Sequence, residues 1–518
     1  MNTERIFLYD TTLRDGAQSE GISFSADDKI DILRKLDSFG IPFVEGGWPG
    51  SSPRDDLFFE KAGNIELQNS ELVAFGSTRR HGLPASEDPN LLALTASPAK
   101  WCCIFGKSWD FHVTDALRIS LEENLELISD SILFLISKGK RVMFDAEHFF
   151  DGFYNNREYA LKCIQAAAGA GAEYIILCDT NGGRLPGQIS DAVRTVVSCC
   201  DAKIGIHCHN DCELAVANSL AAVSAGAVMV QGTVNGIGER CGNANLCSLI
   251  PDLKLKMNSD IGNIHLEGLT ELSHVISEIS NCPADSSLPY VGEKAFAHKG
   301  GMHVSALVRD PRTYEHIQPD LVGNSRRVLV SDMAGKASIA KKLSELGIDI
   351  DSSESRKITD MIKNLEFKGY EFEGADASFE LLVRRIKDKI VPPFKVEGFR
   401  VFIDDALGGM TAEASVKVRD SEGVLEHTAS DGHGPVNALD NALRKALSRF
   451  FPEMDRIRLV DYKVRVLDEK SATAASVRVL IRTSDGTRDW TTVGVSENVI
   501  EASLIALTDS FEYALMKL

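Results

Sequence analysis

Tyr174-Ile175-Ile176-Leu177-Cys178-Asp179-Thr180-Asn181-Gly182-Gly183 passes from an apolar run straight into a polar, glycine-rich loop. The same transition recurs upstream and downstream. Ile6 to Tyr9 leads into Asp10-Thr11-Thr12-Leu13-Arg14-Asp15-Gly16, and Phe43 to Glu45 into Gly46-Gly47-Trp48-Pro49-Gly50. Val142 to Phe144 leads into Asp145-Ala146-Glu147-His148, and Ile204 to Ile206 into His207-Cys208-His209-Asn210-Asp211. With Leu72 to Phe75, Trp101 to Phe105 and Val228 to Gln231 there are eight strand candidates, separated by amphipathic stretches of helical length. Repeated βα units predict a parallel sheet. Eight of them within ~250 residues predict an α/β fold of the (β/α)8 TIM-barrel type rather than an open doubly wound sheet. In such a barrel the chemistry sits at the C-terminal strand ends, so these polar clusters are expected to converge on one mouth.

The whole chain has 518 residues, room for about three units at roughly 150 residues each. Hydrophobic residues at 44% and charged residues at 25% are ordinary for a globular protein. No apolar run reaches the ~18 residues that a membrane span needs, so no membrane association is expected. Met1-Asn2-Thr3-Glu4-Arg5 lacks the basic-then-apolar pattern of an export signal. Eleven scattered cysteines without zinc-type spacing read as reduced thiols, and a cytoplasmic location is expected. A formal charge of -19 disfavours polyanion binding, so nucleic acid is not an expected partner.

The barrel is expected over residues 1–281. From 282 to 391 the βα rhythm fades into a polar segment with Lys299-Gly300-Gly301 and helical stretches, read as helical linker subdomains. Val391-Pro392-Pro393 is a hinge candidate, because paired prolines end helices. Residues 392–518 read as an α+β domain of two pseudo-repeated units. In the first, strands near Arg400 to Ile403 and Ala412 to Val418 precede a loop, Asp431 to Val436, and a helix carrying Ala438, Leu439, Ala442, Leu443 and Leu447. In the second, strands near Asp461 to Val466 and Ser476 to Ile481 precede Trp490 to Val495 and a helix with Val499, Ile500, Ser503, Leu504 and Leu507. Such a repeat suits a dimerisation domain, a small-molecule sensor, or both.

His207 and His209 are two apart on a strand, so both imidazoles point to one face and can share a metal. Asp15 can add a carboxylate and Asn243 an amide oxygen. This mixed N/O set suits Mn²⁺ or Zn²⁺, with Mg²⁺ and Co²⁺ also compatible, and leaves positions open for substrate. Two histidines alone would read as packing residues; joined to Asp15 they read as a metal site. Arg14 can stabilise an enolate or alkoxide oxygen, or close the barrel through an ion pair. Asp145 and Glu147 also share a face, where a carboxylate can act as base, orient substrate, or pair with Arg14. Gly46-Gly47-Trp48-Pro49-Gly50 and Gly236-Ile237-Gly238-Glu239 match no nucleotide fingerprint, and neither NAD nor ATP is expected.

The motif from Asp10 to Gln18, His207-Cys208-His209-Asn210-Asp211 and Gly238-Glu239-Arg240-Cys241-Gly242-Asn243 resemble the signatures of the acetyl-CoA condensing enzymes among the DRE-TIM metallolyases. This is the family that includes 2-isopropylmalate and homocitrate synthases. The resemblance extends through Ala297 to His303 and Tyr314-Glu315-His316-Ile317 to the terminal repeat, which resembles the family's regulatory, dimer-forming domain. Glu45 to Gly50 and Phe144 to Gly152 are most similar to the bacterial branch that uses pyruvate as acceptor. The implied reaction is acetyl-CoA plus pyruvate plus water giving (R)-citramalate and CoA, an entry to isoleucine synthesis. The resemblance further implies Asp15, His207, His209 and Asn243 at the metal, and Arg14, Asp145, Glu147 and Thr180 at the 2-oxo acid. It implies that His303 and Tyr314 reach the other subunit's barrel mouth in a homodimer, with isoleucine or another branched-chain product as effector. Glu147 and His303 both remain candidates for the base. The competing readings are 2-isopropylmalate synthesis from 2-oxoisovalerate, a metal-dependent acyl-CoA or oxo-acid lyase, and a non-catalytic amino-acid sensor.

Overall fold

The computed structural model describes every residue except 1–3, 283–284, 299–302, 304–305, 308, 329–347, 349–351, 373–374, 389, 407–408, 468–474 and 518. Lys299-Gly300-Gly301 thus lies outside the described residues. The chain divides into two compact units, Met1–Phe296 with Ile317–Ser325, and Ala297–His316 with Arg326–Leu518.

In the first unit β1 (Phe7–Asp10), β2 (Phe43–Gly47), β3 (Glu71–Ser77), β4 (Trp101–Lys107), β5 (Arg141–Glu147), β6 (Tyr174–Asp179), β7 (Lys203–Cys208) and β8 (Met229–Gly232) close into a barrel in that order. Neighbouring strands are parallel, and β8 returns to β1 with Leu8 opposite Val230. All eight strand candidates are present. Their C-terminal ends run one to three residues beyond the apolar runs, because Asp10, Lys107, Glu147 and Asp179 still belong to the strands. Glu45, Lys107, Asp145 and Gln231 lie two residues beyond interior apolar positions of their strands, and these polar ends place the site.

Alternation along the strands makes two cores. Tyr9, Phe43, Trp101, Cys103, Met143, Tyr174 and Met229 fill the barrel interior, with Phe43 edge-on to Trp101 at 5.3 Å. Their neighbours Leu8, Val44, Cys102, Ile104 and Val142 face outward and pack under the helices. The helix Ala26–Phe39 shows why such segments form. Ser25 and Asp28 exchange capping hydrogen bonds at its start, Ile30, Leu33, Leu36 and Phe39 form a buried stripe, and Gly40 ends it at φ 100°. A Cβ on Gly40 would lie 2.3 Å from the Asn263 carbonyl oxygen.

In the second unit β9 (Ala297–His298) pairs with β10 (Arg327–Val328), and helices span Ser352–Phe367 and Asp376–Lys387. Two antiparallel sheets follow: β11 (Phe394–Ala406), β12 (Gly409–Asp420) and β13 (Leu425–Gly432), then β14 (Arg458–Val466), β15 (Val477–Ser484) and β16 (Asp489–Ser496). Helices Pro435–Leu447 and Val499–Lys517 come after them and share one core, with Ala438, Leu439, Ala442, Leu443, Ala446 and Leu447 buried at helical spacing. The repeat is real, but each copy has three strands where the sequence reading has two. Asp431 and Gly432, expected in a loop, end β13, and Trp490 to Val495 lie within β16. No helix among the described residues is long and apolar enough to cross a membrane.

Leu33 is fully buried under the barrel. Leu33→Ala is expected to cost about 2–5 kcal/mol, read as a lower urea midpoint in the tryptophan fluorescence of the barrel unit.

Candidate active site

The turn after β1 brings Asp15 into the barrel mouth. Asp10 shapes that turn by accepting from the Thr12 amide at 2.9 Å and the Thr12 hydroxyl at 2.8 Å, and the Asp15 amide donates to the Thr11 carbonyl at 2.9 Å. His207 stands at the end of β7, and His209 follows it on the same face. Asp15 Oδ2 lies 3.3 Å from His207 Nε2, and His207 Nε2 lies 3.3 Å from His209 Nε2. Ligand-type atoms of these three buried residues lie within 4.8 Å of one another.

Gln231 on β8 orients His207. Its amide nitrogen donates to Asp145 Oδ1 at 3.2 Å, which turns its oxygen, 2.9 Å away, toward His207 Nδ1. Nδ1–H then donates to Gln231, which leaves Nε2 as the nitrogen turned toward Asp15 and His209, the one a metal ligand presents. Burial, and after it the neighbouring His207, pushes His209 down to about 3, so it is a neutral imidazole. Burial opposes charge on Asp15, but Arg14 beside it and the hydrogen bond from His207 hold it well below the ordinary carboxylate range. Asn243 Oδ1 and His209 Nδ1 are buried and meet no hydrogen-bond partner among the described residues. A short antiparallel bridge joins Asn243 to His209. One carboxylate, two imidazoles with converging Nε2 atoms and an orphaned amide oxygen fit a divalent metal.

Arg14 is the fixed cation of the mouth. Its Nε donates to Glu45 Oε2 at 2.5 Å, its Nη1 lies 3.4 Å from Asp15 Oδ2, and its guanidinium sits 3.9 Å above the Phe75 ring. Glu45 is fully buried and also accepts from the Tyr9 hydroxyl at 2.7 Å. Arg14 therefore pairs with Glu45 and Asp15. The alternative in which Arg14 pairs with Asp145 or Glu147 is not what the structure shows: Glu147 contacts Lys107 of β4, and Asp145 accepts from Cys103 Sγ at 3.1 Å. Burial raises the Asp145 carboxyl, against the opposing pull of His207.

Arg14, Asp15, Asp145, Glu147, His207 and His209 line one cavity of about 230 Å³, together with Thr180 and Glu239 and an aromatic wall of Trp48, Phe75 and Phe105. Thr180 Oγ1 accepts from the His148 amide at 2.9 Å, which holds His148 at φ 54° directly after Glu147. Asn243 depends on the glycines before it: a Cβ on Gly238, at φ 158°, would fall 2.1 Å from its Nδ2. His303 and Tyr314 stack on each other in the second unit, ring centres 4.1 Å apart, both exposed. Glu45, Gln231 and Lys107 went unassigned in the sequence reading. Period two along β8 from Met229 and along β4 from Cys103 through Phe105 was the available signal.

A closed βα barrel with carboxylate, imidazole and guanidinium groups gathered at the C-terminal mouth defines the class, a TIM-barrel enzyme. Residues 5–276 match the HMGL-like family model, and the chain belongs to that family. Residues 290–369 match the homocitrate synthase post-HMGL domain-like family and 373–515 the LeuA allosteric (dimerisation) domain. A relative from Aquifex aeolicus, named (R)-citramalate synthase, is 54% identical, with 99% of this chain and 98% of its own covered. One of the same name from Geobacter sulfurreducens is 53% identical, with 98% and 97% covered. A 2-isopropylmalate synthase from Methanocaldococcus jannaschii is 31% identical, with 99% and 95% covered.

Gln231→Leu would remove the hydrogen bonds that Gln231 makes to His207 and Asp145. It is expected to weaken Mn²⁺ binding by about 10- to 100-fold, measured by isothermal titration; unchanged affinity would show that Gln231 does not orient His207.

Proposed function

We propose that this chain condenses acetyl-CoA with pyruvate and water to give (R)-citramalate and CoA. The observation that carries this reading is the mouth cavity, where the Asp15–His207–His209 cluster and Arg14 face a confined space under Trp48, Phe75 and Phe105. That wall suits the methyl group of pyruvate better than a branched side chain. The full-length relatives named (R)-citramalate synthase support the same acceptor.

Asp15, His207 and His209 would hold the divalent metal, with Asn243 as a further oxygen ligand, and Mn²⁺ or Zn²⁺ suits that set best. When bound, the metal supplies Lewis acidity to the keto group of the acceptor. Glu147 takes a proton from the acetyl-CoA methyl group. The enolate carbon forms the new bond to the keto carbon, whose oxygen becomes an alkoxide and then a hydroxyl by taking up a proton equivalent to the one Glu147 removed. The Arg14 guanidinium, locked by Glu45, donates to that oxygen as its charge develops. Asp145 and Thr180 border the acceptor. Water then cleaves the thioester, releasing CoA and the second carboxylate.

His303 and Tyr314 complete the mouth of a second copy in a homodimer, and the LeuA dimerisation match supports this. The effector is isoleucine, and a cavity of about 650 Å³ in the terminal domain suits a zwitterionic amino acid. Asp455 can meet its ammonium, Arg458 its carboxylate, and Val436, Ile457 and Leu459 its side chain, while Arg444 and Asp440 pair with each other at 3.0 Å in the same wall. The division at 281/282 and 391/392, and a cytoplasmic site of action for a chain whose eleven cysteines are all free, belong to this reading.

The test is thiol release from acetyl-CoA with Mn²⁺ and pyruvate, 2-oxobutyrate, 2-oxoisovalerate or 2-oxoglutarate. Pyruvate is expected to dominate; preference for 2-oxoisovalerate would overturn the acceptor, and no release with any of them would overturn the condensation. Asp15→Asn or His209→Ala is expected to lower kcat by about 100-fold or more, the several kcal/mol such an ion supplies. Isoleucine is expected to inhibit, and Arg458→Met to relieve that inhibition without changing uninhibited kcat.

A further inference from the structure

We infer that Lys107 is a positioning residue for Glu147, a role that rests on the function proposed above. Lys107 and Glu147 are the last pair in the parallel register of β4 and β5, so their side chains leave adjacent strand ends side by side, with Glu147 lining the mouth cavity. The ammonium contacts Glu147 Oε2 directly, with 21% of the lysine and 24% of the glutamate side chain reaching solvent. An ion pair this open adds little to folding stability. What it does is restrict the carboxylate.

Everything else around the pair is already fixed. The Lys107 carbonyl accepts from Asn124 Nδ2 at 2.9 Å, and buried Asn124 also donates to the Tyr159 hydroxyl at 2.8 Å. The Glu147 carbonyl accepts from the Ser108 hydroxyl at 2.7 Å, and Thr180 holds the next residue, His148, in its left-handed conformation. The side-chain rotamers are the freedom that remains. With Oε2 engaged by Lys107, Oε1 is left for the methyl proton of acetyl-CoA. Phe105, two residues earlier on the same face, stands 5.6 Å from the ammonium and confines it on the other side.

A base of this kind must sit within about 0.5 Å of its productive position, and a misplacement of 1 Å costs about 100-fold in rate. The test compares Lys107→Met, Lys107→Arg and Glu147→Gln by thiol release from acetyl-CoA with pyruvate, using protiated and methyl-deuterated acetyl-CoA. Lys107→Met is expected to lower kcat by about 10- to 100-fold, with KM for both substrates within about threefold of the parent and a larger deuterium isotope effect. Lys107→Arg, which keeps the cation, is expected to recover most of the loss, and both variants to bind Mn²⁺ as the parent does. A kcat within twofold of the parent for Lys107→Met overturns the assignment. So does a selective rise in KM for pyruvate, which would make Lys107 a ligand of the acceptor's carboxylate. An unchanged isotope effect, or joint loss of Mn²⁺ binding that arginine does not restore, overturns it in favour of a structural role. Glu147→Gln separates the two levels: full activity in that variant would sink Glu147 as base, whatever Lys107 does.

Discussion

One carboxylate and two imidazoles lie side by side at the barrel mouth, Asp15 at 2% exposure, His207 at 5% and His209 at 6%. Such a cluster is tolerable only if its charge and hydrogen-bonding capacity are met. Arg14 faces Asp15, Glu45 is then needed to hold Arg14, and the Tyr9 hydroxyl holds Glu45. On the other side Gln231 joins His207 to Asp145. The dependence crosses β1, β2, β5, β7 and β8, so the barrel's closure and the site's geometry are one arrangement. The groups that remain unmatched, Asn243 Oδ1 and His209 Nδ1, border the same cluster.

The barrel was legible because its strands are apolar runs ending in polar loops, and that pattern survives in a single sequence. Asp15, His207, His209, Arg14, Asp145, Glu147 and Thr180 were legible as neighbours for the same reason, since parallel strands deliver their C-terminal ends to one face. What was not legible followed from strands that outrun their hydrophobic pattern. Lys107 reaches Glu147 only because β4 continues past Phe105. The third strand of the first terminal unit was hidden differently. Leu425–Gly432 has no fully buried position along its length, and so shows no apolar alternation to read. Glu45 stood in view but its role depended on a partner from another strand, which no local pattern supplies.

The mouth is also walled by aromatic side chains. Aromatic side chains from the β2 loop, β3 and β4 meet over the cluster, Trp48 edge-on to Phe75 at 5.6 Å and to Phe105 at 5.9 Å. Phe75 also carries the Arg14 guanidinium on its face. Phe75 thus both lines the mouth cavity and carries the guanidinium, so enlarging the pocket there would disturb Arg14 as well.

The most direct measurement is anomalous diffraction from a crystal of the Mn²⁺-loaded protein, recorded on both sides of the manganese absorption edge. The account predicts one strong peak within coordination distance of Asp15, His207 and His209. Peaks only elsewhere, or none with manganese present in stoichiometric amount, would contradict it.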